Sequence, residues 1–67
     1  MEAKMLTARR LEIVQLAADG NSNKAIATKL GITTSTVRNH WTSIFNHYGI
    51  HDRTSVVVRA FQQGLIH

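Results

Sequence analysis

Apolar residues recur along the chain at the spacing of one face of an α-helix, in four stretches that glycines separate. The first stretch predicts a helix over residues 8–19, with Thr7 as its N-cap. Leu6 and Leu11 stand where the two partners of a hydrophobic staple would be. Gly20 follows at the position where left-handed backbone commonly ends a helix. The inward residues of this helix are predicted to be Leu11, Ile13, Val14, Leu16 and Ala17.

The next two helices are predicted to lie close together in the chain. A short helix over residues 23–30 follows Ser22 and ends at Gly31, and Thr33 can then cap a third helix over residues 34–48. The inward face of the second helix carries Ile26, Ala27 and Leu30. The third helix has one apolar stripe at i, i+4, i+7 and i+11, formed by Val37, Trp41, Ile44 and Tyr48. Two helices joined by so short a turn indicate a helix-turn-helix.

A fourth helix completes the pattern. Gly49 ends the third helix, Ile50 can pack back against it, and Asp52 can cap a helix over residues 53–63 before Gly64. Its inward residues are predicted to be Val56, Val57, Ala60 and Phe61, with Val58 and Gln62 on another side. Alternation of period two never lasts beyond a few residues, which excludes strands. The sequence therefore predicts an all-α fold, a four-helix bundle that contains a helix-turn-helix.

Composition narrows the possible functions. Residues 1–67 form one small domain that is too short for a substrate cavity with a lid, so an enzyme is disfavoured. The absence of cysteine excludes disulfides and thiolate zinc sites. No apolar run approaches the roughly 20 residues that span a bilayer, and no secretory signal is present, so we expect a cytoplasmic chain. The net charge of +4 favours a polyanionic partner.

The outward face of the third helix is the strongest indication of function. It carries Ser35, Arg38, Asn39, Thr42, Ser43 and Asn46, and the helix contains no acidic residue. Arg38 can form a bidentate pair with guanine, and Asn39 can do the same with adenine. The start of the second helix, at Asn23 and Lys24, can hold a phosphate beside the groove. The ordinary alternative is a solvated polar face, but its position directly after a two-helix turn favours DNA recognition.

Other interpretations of single residues are weaker. His40 and His47 lie two helical turns apart, roughly 10 Å along the axis, so a metal site is disfavoured. Trp41 could stack on a single-stranded base, but its place in the apolar stripe favours the core. A Ser-His-Asp hydrolase lacks a nucleophile elbow. An adaptor of the same fold that binds protein through Val58 remains open as an alternative, as does a small RNA-binding module, although exposed aromatic residues that stack bases are lacking.

Residues spread along the chain from Leu6 to Ile66 resemble the LuxR/FixJ (GerE-type) helix-turn-helix of bacterial transcription regulators. The matching positions are Leu6, Thr7, Arg9, Glu12, Gly20, Ser22, Asn23, Lys24, Ile26, Ala27, Leu30, Gly31, Ile32, Thr36, Val37, Arg38, Asn39, His40, Ile44, Gly49, Arg53, Thr54, Ala60, Gly64, Leu65 and Ile66. The resemblance implies a winged-helix-like fold without the wing and a sequence-specific regulator of transcription, either free-standing or the output domain of a longer chain.

The resemblance also implies roles for individual residues. The third helix would enter the major groove of double-stranded DNA, with Arg38, Asn39 and Thr42 facing bases. Contacts to the phosphate backbone are expected from Lys24, Thr33, Ser35, Thr36 and His40, to which the polar face and the second helix start add Asn23, Ser43 and Asn46. A weak homodimer through the fourth helix is expected at Val58, Arg59 and Gln62. RNA polymerase is a further candidate partner, and neither a cofactor nor a metal is expected.

Four positions depart from the family pattern. The family often has glutamate where this chain has Arg10 and Ala25, three residues after the caps Thr7 and Ser22, so both capping boxes are incomplete. His47 and Tyr48 stand where Lys-Leu is usual, which removes a fixed positive charge from the end of the third helix. Any phosphate contact at position 47 is therefore expected to be weaker than in the family.

Overall fold

The computed structural model describes residues 6–67 and has four α-helices in this range. They are α1 (Ala8–Ala18), α2 (Asn23–Leu30), α3 (Thr34–Tyr48) and α4 (Arg53–Gln62). The all-α class and all four predicted helices are confirmed. The first and fourth helices each end one residue earlier than predicted, because Asp19 and Gln63 serve as C-caps. Within residues 6–67, none of the helices has the length and apolar character needed to cross a membrane.

Each helix begins at a side chain that accepts a hydrogen bond from the backbone three residues later. Thr7, Ser22, Thr33 and Asp52 accept from the N–H groups of Arg10, Ala25, Thr36 and Ser55 over 3.0–3.2 Å. None of the four first turns contains an acidic residue. The predicted caps are thus confirmed, and each is the hydroxyl or carboxylate half of a capping box without its glutamate partner.

The Asp52 cap is sensitive to acid. Hydrogen bonds from the Ser55 hydroxyl and the backbone of Ser55 hold the pKa of Asp52 below its usual range. Because the carboxylate is stabilised in the folded state, its contribution to stability is present above the pKa of the unfolded chain. That contribution is lost as the pH falls through the lower pKa of the folded state.

The glycine that ends α2 sets the geometry of the turn into α3. Gly31 has φ +70°, and the N–H of Ile32 donates to the carbonyl of Ala27 over 3.0 Å. This is the Schellman arrangement, which requires left-handed backbone at Gly31. Gly49 repeats it at the end of α3 with φ +68°, where the N–H of Ile50 donates to the carbonyl of Phe45. A glycine in left-handed backbone therefore determines where each helix of the helix-turn-helix ends.

The core draws on every helix. Its buried residues are Leu6, Ile13, Val14, Ile26, Ala27, Val37, Trp41, Ile44, Val56, Ala60 and Ile66. Leu11, Leu16, Ala17, Leu30, Tyr48 and Val57 are partly buried and pack against this core. Trp41 is only 4% exposed, which confirms that it is a core residue. The stripe of α3 therefore faces inward, and the opposite side of the helix is available to a partner.

The prediction that Phe61 is an inward residue is wrong. Its side chain is 64% exposed, next to Val58 at 49%. Val56 and Ala60 are buried and define the inward side of α4. Successive residues of an α-helix are about 100° apart, so Phe61 points away from the direction of Ala60 and does not reach the core. Phe61 and Val58 are three residues apart and share the outward side of α4. This side is more apolar than the sequence pattern indicated.

Candidate nucleic-acid interface

The outward face of α3 is polar and opposite to its core stripe. Ser35, Asn39, Thr42 and Asn46 repeat at i, i+4, i+7 and i+11, two residues before the members of the buried stripe. Two residues correspond to about 200° around the helix, so the two sets lie on opposite sides. All four side chains are exposed, and Ser43 beside them is partly buried. The structure therefore brings together the residues of α3 that the sequence indicated.

The three candidates for base reading lie on adjoining parts of this face. Arg38, Asn39 and Thr42 are all exposed. Arg38 occupies one edge of the face, because it lies about 100° from Val37. The Thr42 hydroxyl donates to the carbonyl of Arg38 over 3.3 Å. Its proton is thereby engaged within the helix, so Thr42 presents lone pairs and a methyl group to a partner.

The candidates for phosphate contact surround the face. Thr33 and Thr36 lie at the start of α3 with their hydroxyl oxygens 2.8 Å apart. His40 is partly buried on the flank of α3 away from Arg38, and Lys24 is exposed in the first turn of α2. The starts of α2 and α3 each present N–H groups without helical partners, and such groups favour anions.

A cluster of three side chains joins α2, α3 and α4 next to this surface. The Oδ1 atom of Asn23 accepts from the Nε1 of Trp41 over 3.1 Å and from the Nη1 of Arg53 over 2.7 Å. The Nη2 of Arg53 donates to the carbonyl of Asn21 over 2.9 Å. The guanidinium lies 4.8 Å from the centroid of the Trp41 ring. We call Asn23, Trp41 and Arg53 the clamp.

Sequence reasoning assigned no role to Arg53 beyond its match to the family. One signal could have found it. A cation in the first turn of a helix opposes the helix dipole, and Arg53 is the first residue of α4. Such a residue needs anionic or carbonyl partners nearby. Sequence reasoning also assigned no role to Phe45, whose ring packs against Trp41 with centroids 5.6 Å apart.

A shallow recess of about 280 Å³ lies where the clamp meets the outward face of α3. Its lining consists of Asn23, Arg38, Trp41, Thr42, Phe45 and Arg53. Two of these, Arg38 and Thr42, are candidates for base reading. The clamp therefore adjoins the recognition surface without lying on its outward line.

The surface is positively charged because a long stretch of the chain lacks acidic residues. Residues 20–51 contain no aspartate or glutamate but include Lys24, Lys29 and Arg38. Glu12 lies outside this range on α1 and pairs with Arg9 over 3.5 Å. The formal charges of the helix-turn-helix are therefore all positive, as expected of a surface that approaches phosphates. Within the described residues 6–67, no three histidine or acidic side chains are grouped so as to hold a metal ion.

Comparisons with known proteins agree with this geometry. The family described as bacterial regulatory proteins, luxR family, matches residues 4–60. The response regulator protein VraR of Staphylococcus aureus strain NCTC 8325 and that of Staphylococcus epidermidis are each 44% identical over 63 residues. These matches cover 94% of this chain and 30% of each relative. The chain thus spans less than a third of the length of these regulators.

Two solved structures share the fold. The structure of the transcription factor GerE is 32% identical, with a TM-score of 0.88 and 92% of both chains covered. The response regulator ChrA of a heme-sensing two-component system is 38% identical, with a TM-score of 0.90 over 98% of this chain and 33% of that one. The family consists of DNA-binding regulators and not of enzymes. The chain belongs to the luxR family of bacterial regulatory proteins and is a helix-turn-helix DNA-binding domain of a transcription regulator.

Proposed function

We propose that the domain binds double-stranded DNA with sequence specificity by placing α3 in the major groove. The observation that carries this proposal is the exposed, acid-free polar face of α3 directly opposite its buried stripe. Short serine, threonine and asparagine side chains let the helix axis approach the bases closely. Arg38 reads guanine, Asn39 reads adenine, and Thr42 accepts a hydrogen bond or contacts a thymine methyl group.

The surrounding polar groups fix the register of the domain on the duplex. This set comprises Asn23, Lys24, Thr33, Ser35, Thr36, His40, Ser43 and Asn46. Support comes from the starts of α2 and α3, where free N–H groups and, at α2, the Lys24 ammonium favour phosphate oxygens. The Oδ1 of Asn23 is already bonded twice, so its contact to phosphate uses the backbone N–H or the Nδ2 group.

Dimerisation through α4 is part of this proposal. Val58, Arg59 and Gln62 form the contact, and the exposed ring of Phe61 extends it. A symmetric pair buries the same patch on both copies and spaces two recognition helices about one turn of DNA apart. An apolar pair of side chains on the otherwise polar outward side of α4 suits such a contact.

The similarity to longer regulators suggests the kind of protein in which this domain acts. VraR and ChrA are named as response regulators and are about three times as long as this chain. We infer that the domain acts in the cytoplasm as the DNA-binding output of a regulator whose activity is set elsewhere, and that RNA polymerase is a partner at the promoter. The adaptor interpretation has no support in the family match.

The expected salt dependence tests DNA binding directly. If each monomer neutralises about four phosphates, the logarithm of the affinity falls with the logarithm of salt concentration at a slope of about −3 to −4 per monomer. Fluorescence anisotropy of a labelled random duplex pool, titrated at several salt concentrations, measures this slope. A slope near zero would contradict the proposal, and preferential competition by single-stranded RNA would favour an RNA-binding module instead.

A second experiment isolates the dimer contact. We expect the double variant Val58→Ser/Phe61→Ser to bind a single half-site as tightly as the wild type, because both residues lie on α4, away from the polar face of α3. On a duplex with two half-sites one helical turn apart, the variant should lose the cooperativity of the wild type. Equal cooperativity for both proteins would show that α4 does not hold the dimer.

A further inference from the structure

We propose that Arg53 is a positioning residue for DNA recognition. It holds the start of α2 at a fixed place relative to α3 through the clamp and makes no contact to DNA itself. The inference rests on DNA binding through the outward face of α3, as proposed above. Arg53 belongs to α4, the helix that the proposal otherwise assigns to dimerisation.

The bonds of the clamp are directional. The guanidinium of Arg53 donates through two different nitrogens, to Asn23 on α2 and to the carbonyl of Asn21 before it. The Trp41 indole donates to the same Asn23 oxygen from α3. An amide oxygen has two lone pairs, so the Oδ1 of Asn23 is saturated. Three helices therefore meet at one acceptor atom.

Apolar packing alone does not supply this constraint. The hydrophobic contribution depends on buried area and not on direction, whereas a hydrogen bond weakens steeply when its angle departs from linear. Asn23 is the first residue of α2 and precedes Lys24. Trp41 lies within α3 between Arg38 and Thr42, counted along the helix. The hydrogen bond between Asn23 and Trp41 thus sets the position of the α2 start, where a phosphate is expected to bind, relative to the residues of α3 that read bases.

The chemistry of arginine suits this task. Its planar guanidinium can donate along two directions while it stacks on an aromatic face, which a lysine ammonium cannot reproduce. Arg53 does all three in this structure. Its place at the start of α4 opposes the helix dipole, and the carbonyl oxygen of Asn21 and the amide oxygen of Asn23 offset this cost.

The test compares Arg53→Met with Arg9→Met, which removes the same charge from α1 and serves as the matched control. Both proteins are measured at a temperature where circular dichroism shows them folded. We expect Arg53→Met to bind a duplex that the wild type prefers, selected from a random pool, roughly tenfold more weakly than the wild type does. Its affinity for random duplex should change less, and its salt slope should equal that of the wild type. Arg9→Met should match the wild type in all three quantities.

Trp41 adds a spectroscopic readout because it is the only tryptophan of the chain. Its fluorescence emission should change in Arg53→Met, since a cation over the ring and an ordered acceptor at Nε1 are disturbed, and stay unchanged in Arg9→Met. Arg53→Lys keeps the charge but not the paired donors, so we expect it to restore less than the full affinity. If Arg53→Met does not fold, Arg53→Lys is the variant that is compared with the wild type.

Four results would contradict the proposed role of Arg53 or the function on which it rests. A salt slope that falls by about one in Arg53→Met would show that Arg53 touches phosphate directly and would overturn the proposal. Unchanged affinity and specificity in a protein of lower melting temperature would show a purely structural role and would overturn it as well. Full recovery in Arg53→Lys would also contradict a role that depends on paired donors. Salt-independent binding by the wild type would instead refute the function on which the inference rests.

Discussion

Trp41→Ala should leave the domain largely unfolded. Truncating a buried tryptophan to alanine costs about 3–5 kcal/mol, and a chain of this length has a free energy of unfolding of about 3–10 kcal/mol at 0.05–0.15 kcal/mol per residue. Trp41 is 4% exposed and packs in the core with Val37 and Ile44. The change also removes a donor from Asn23 and the ring beneath Arg53. The loss is therefore larger than that of an isolated apolar residue.

Urea unfolding and thermal unfolding, both followed by far-ultraviolet circular dichroism, measure this effect. Where Trp41→Ala keeps a cooperative transition, we expect a melting temperature lowered by more than about 12 °C. Phe61→Ala is the matched control, because it removes an aromatic ring that is 64% exposed. It should change the free energy of unfolding by no more than about 0.5 kcal/mol. Comparable destabilisation by both changes would contradict the assignment of the core.

The helices were predictable because their boundaries are determined locally. A capping side chain bonds to the backbone three residues away, and a left-handed glycine ends the helix within the same turn. Thr33 and Gly31 therefore mark the turn of the helix-turn-helix without any knowledge of tertiary structure. The outward face of α3 follows equally directly, since a buried stripe at Val37 and Trp41 leaves only the opposite side for a partner.

Phe61 and Arg53 were not predictable in this way because their environments depend on other elements. Hydrophobicity alone suggested that Phe61 packs inside, but the inward line of α4 is already filled by Val56 and Ala60. Arg53 finds its partners about 30 residues earlier in the chain, at Asn23 and Asn21. No periodicity within α4 encodes a contact of that kind, and only the folded arrangement brings these groups together.

Assignment of a function to the polar face required more than the pattern. An exposed helix with Ser35, Asn39 and Asn46 is compatible with simple solvation. The absence of acidic residues from α3 and the short turn at Gly31 made DNA recognition the better hypothesis. Family membership then established DNA binding for the domain. Substitution of single residues on this face then assigns which base each one reads.

Arg38→Ala should weaken binding to a preferred duplex by about 1–3 kcal/mol, or roughly 5- to 150-fold, because a bidentate contact to guanine is lost. The side chain is exposed, so the fold should stay intact. Selection from a random duplex pool should then show relaxed preference at one guanine position. Arg9→Ala, which removes an equal charge from α1, should keep both the affinity and the preference of the wild type.

Asn39→Ala distinguishes base reading from a general loss of positive charge. Asn39 is neutral, so its removal should relax preference at an adenine position while the salt slope stays at the wild-type value. If Arg38→Ala instead weakens binding uniformly across sequences and reduces the slope by about one, Arg38 contacts phosphate and not a base. In that case Asn39 and Thr42, on the central line of the outward face, would carry the specificity of α3.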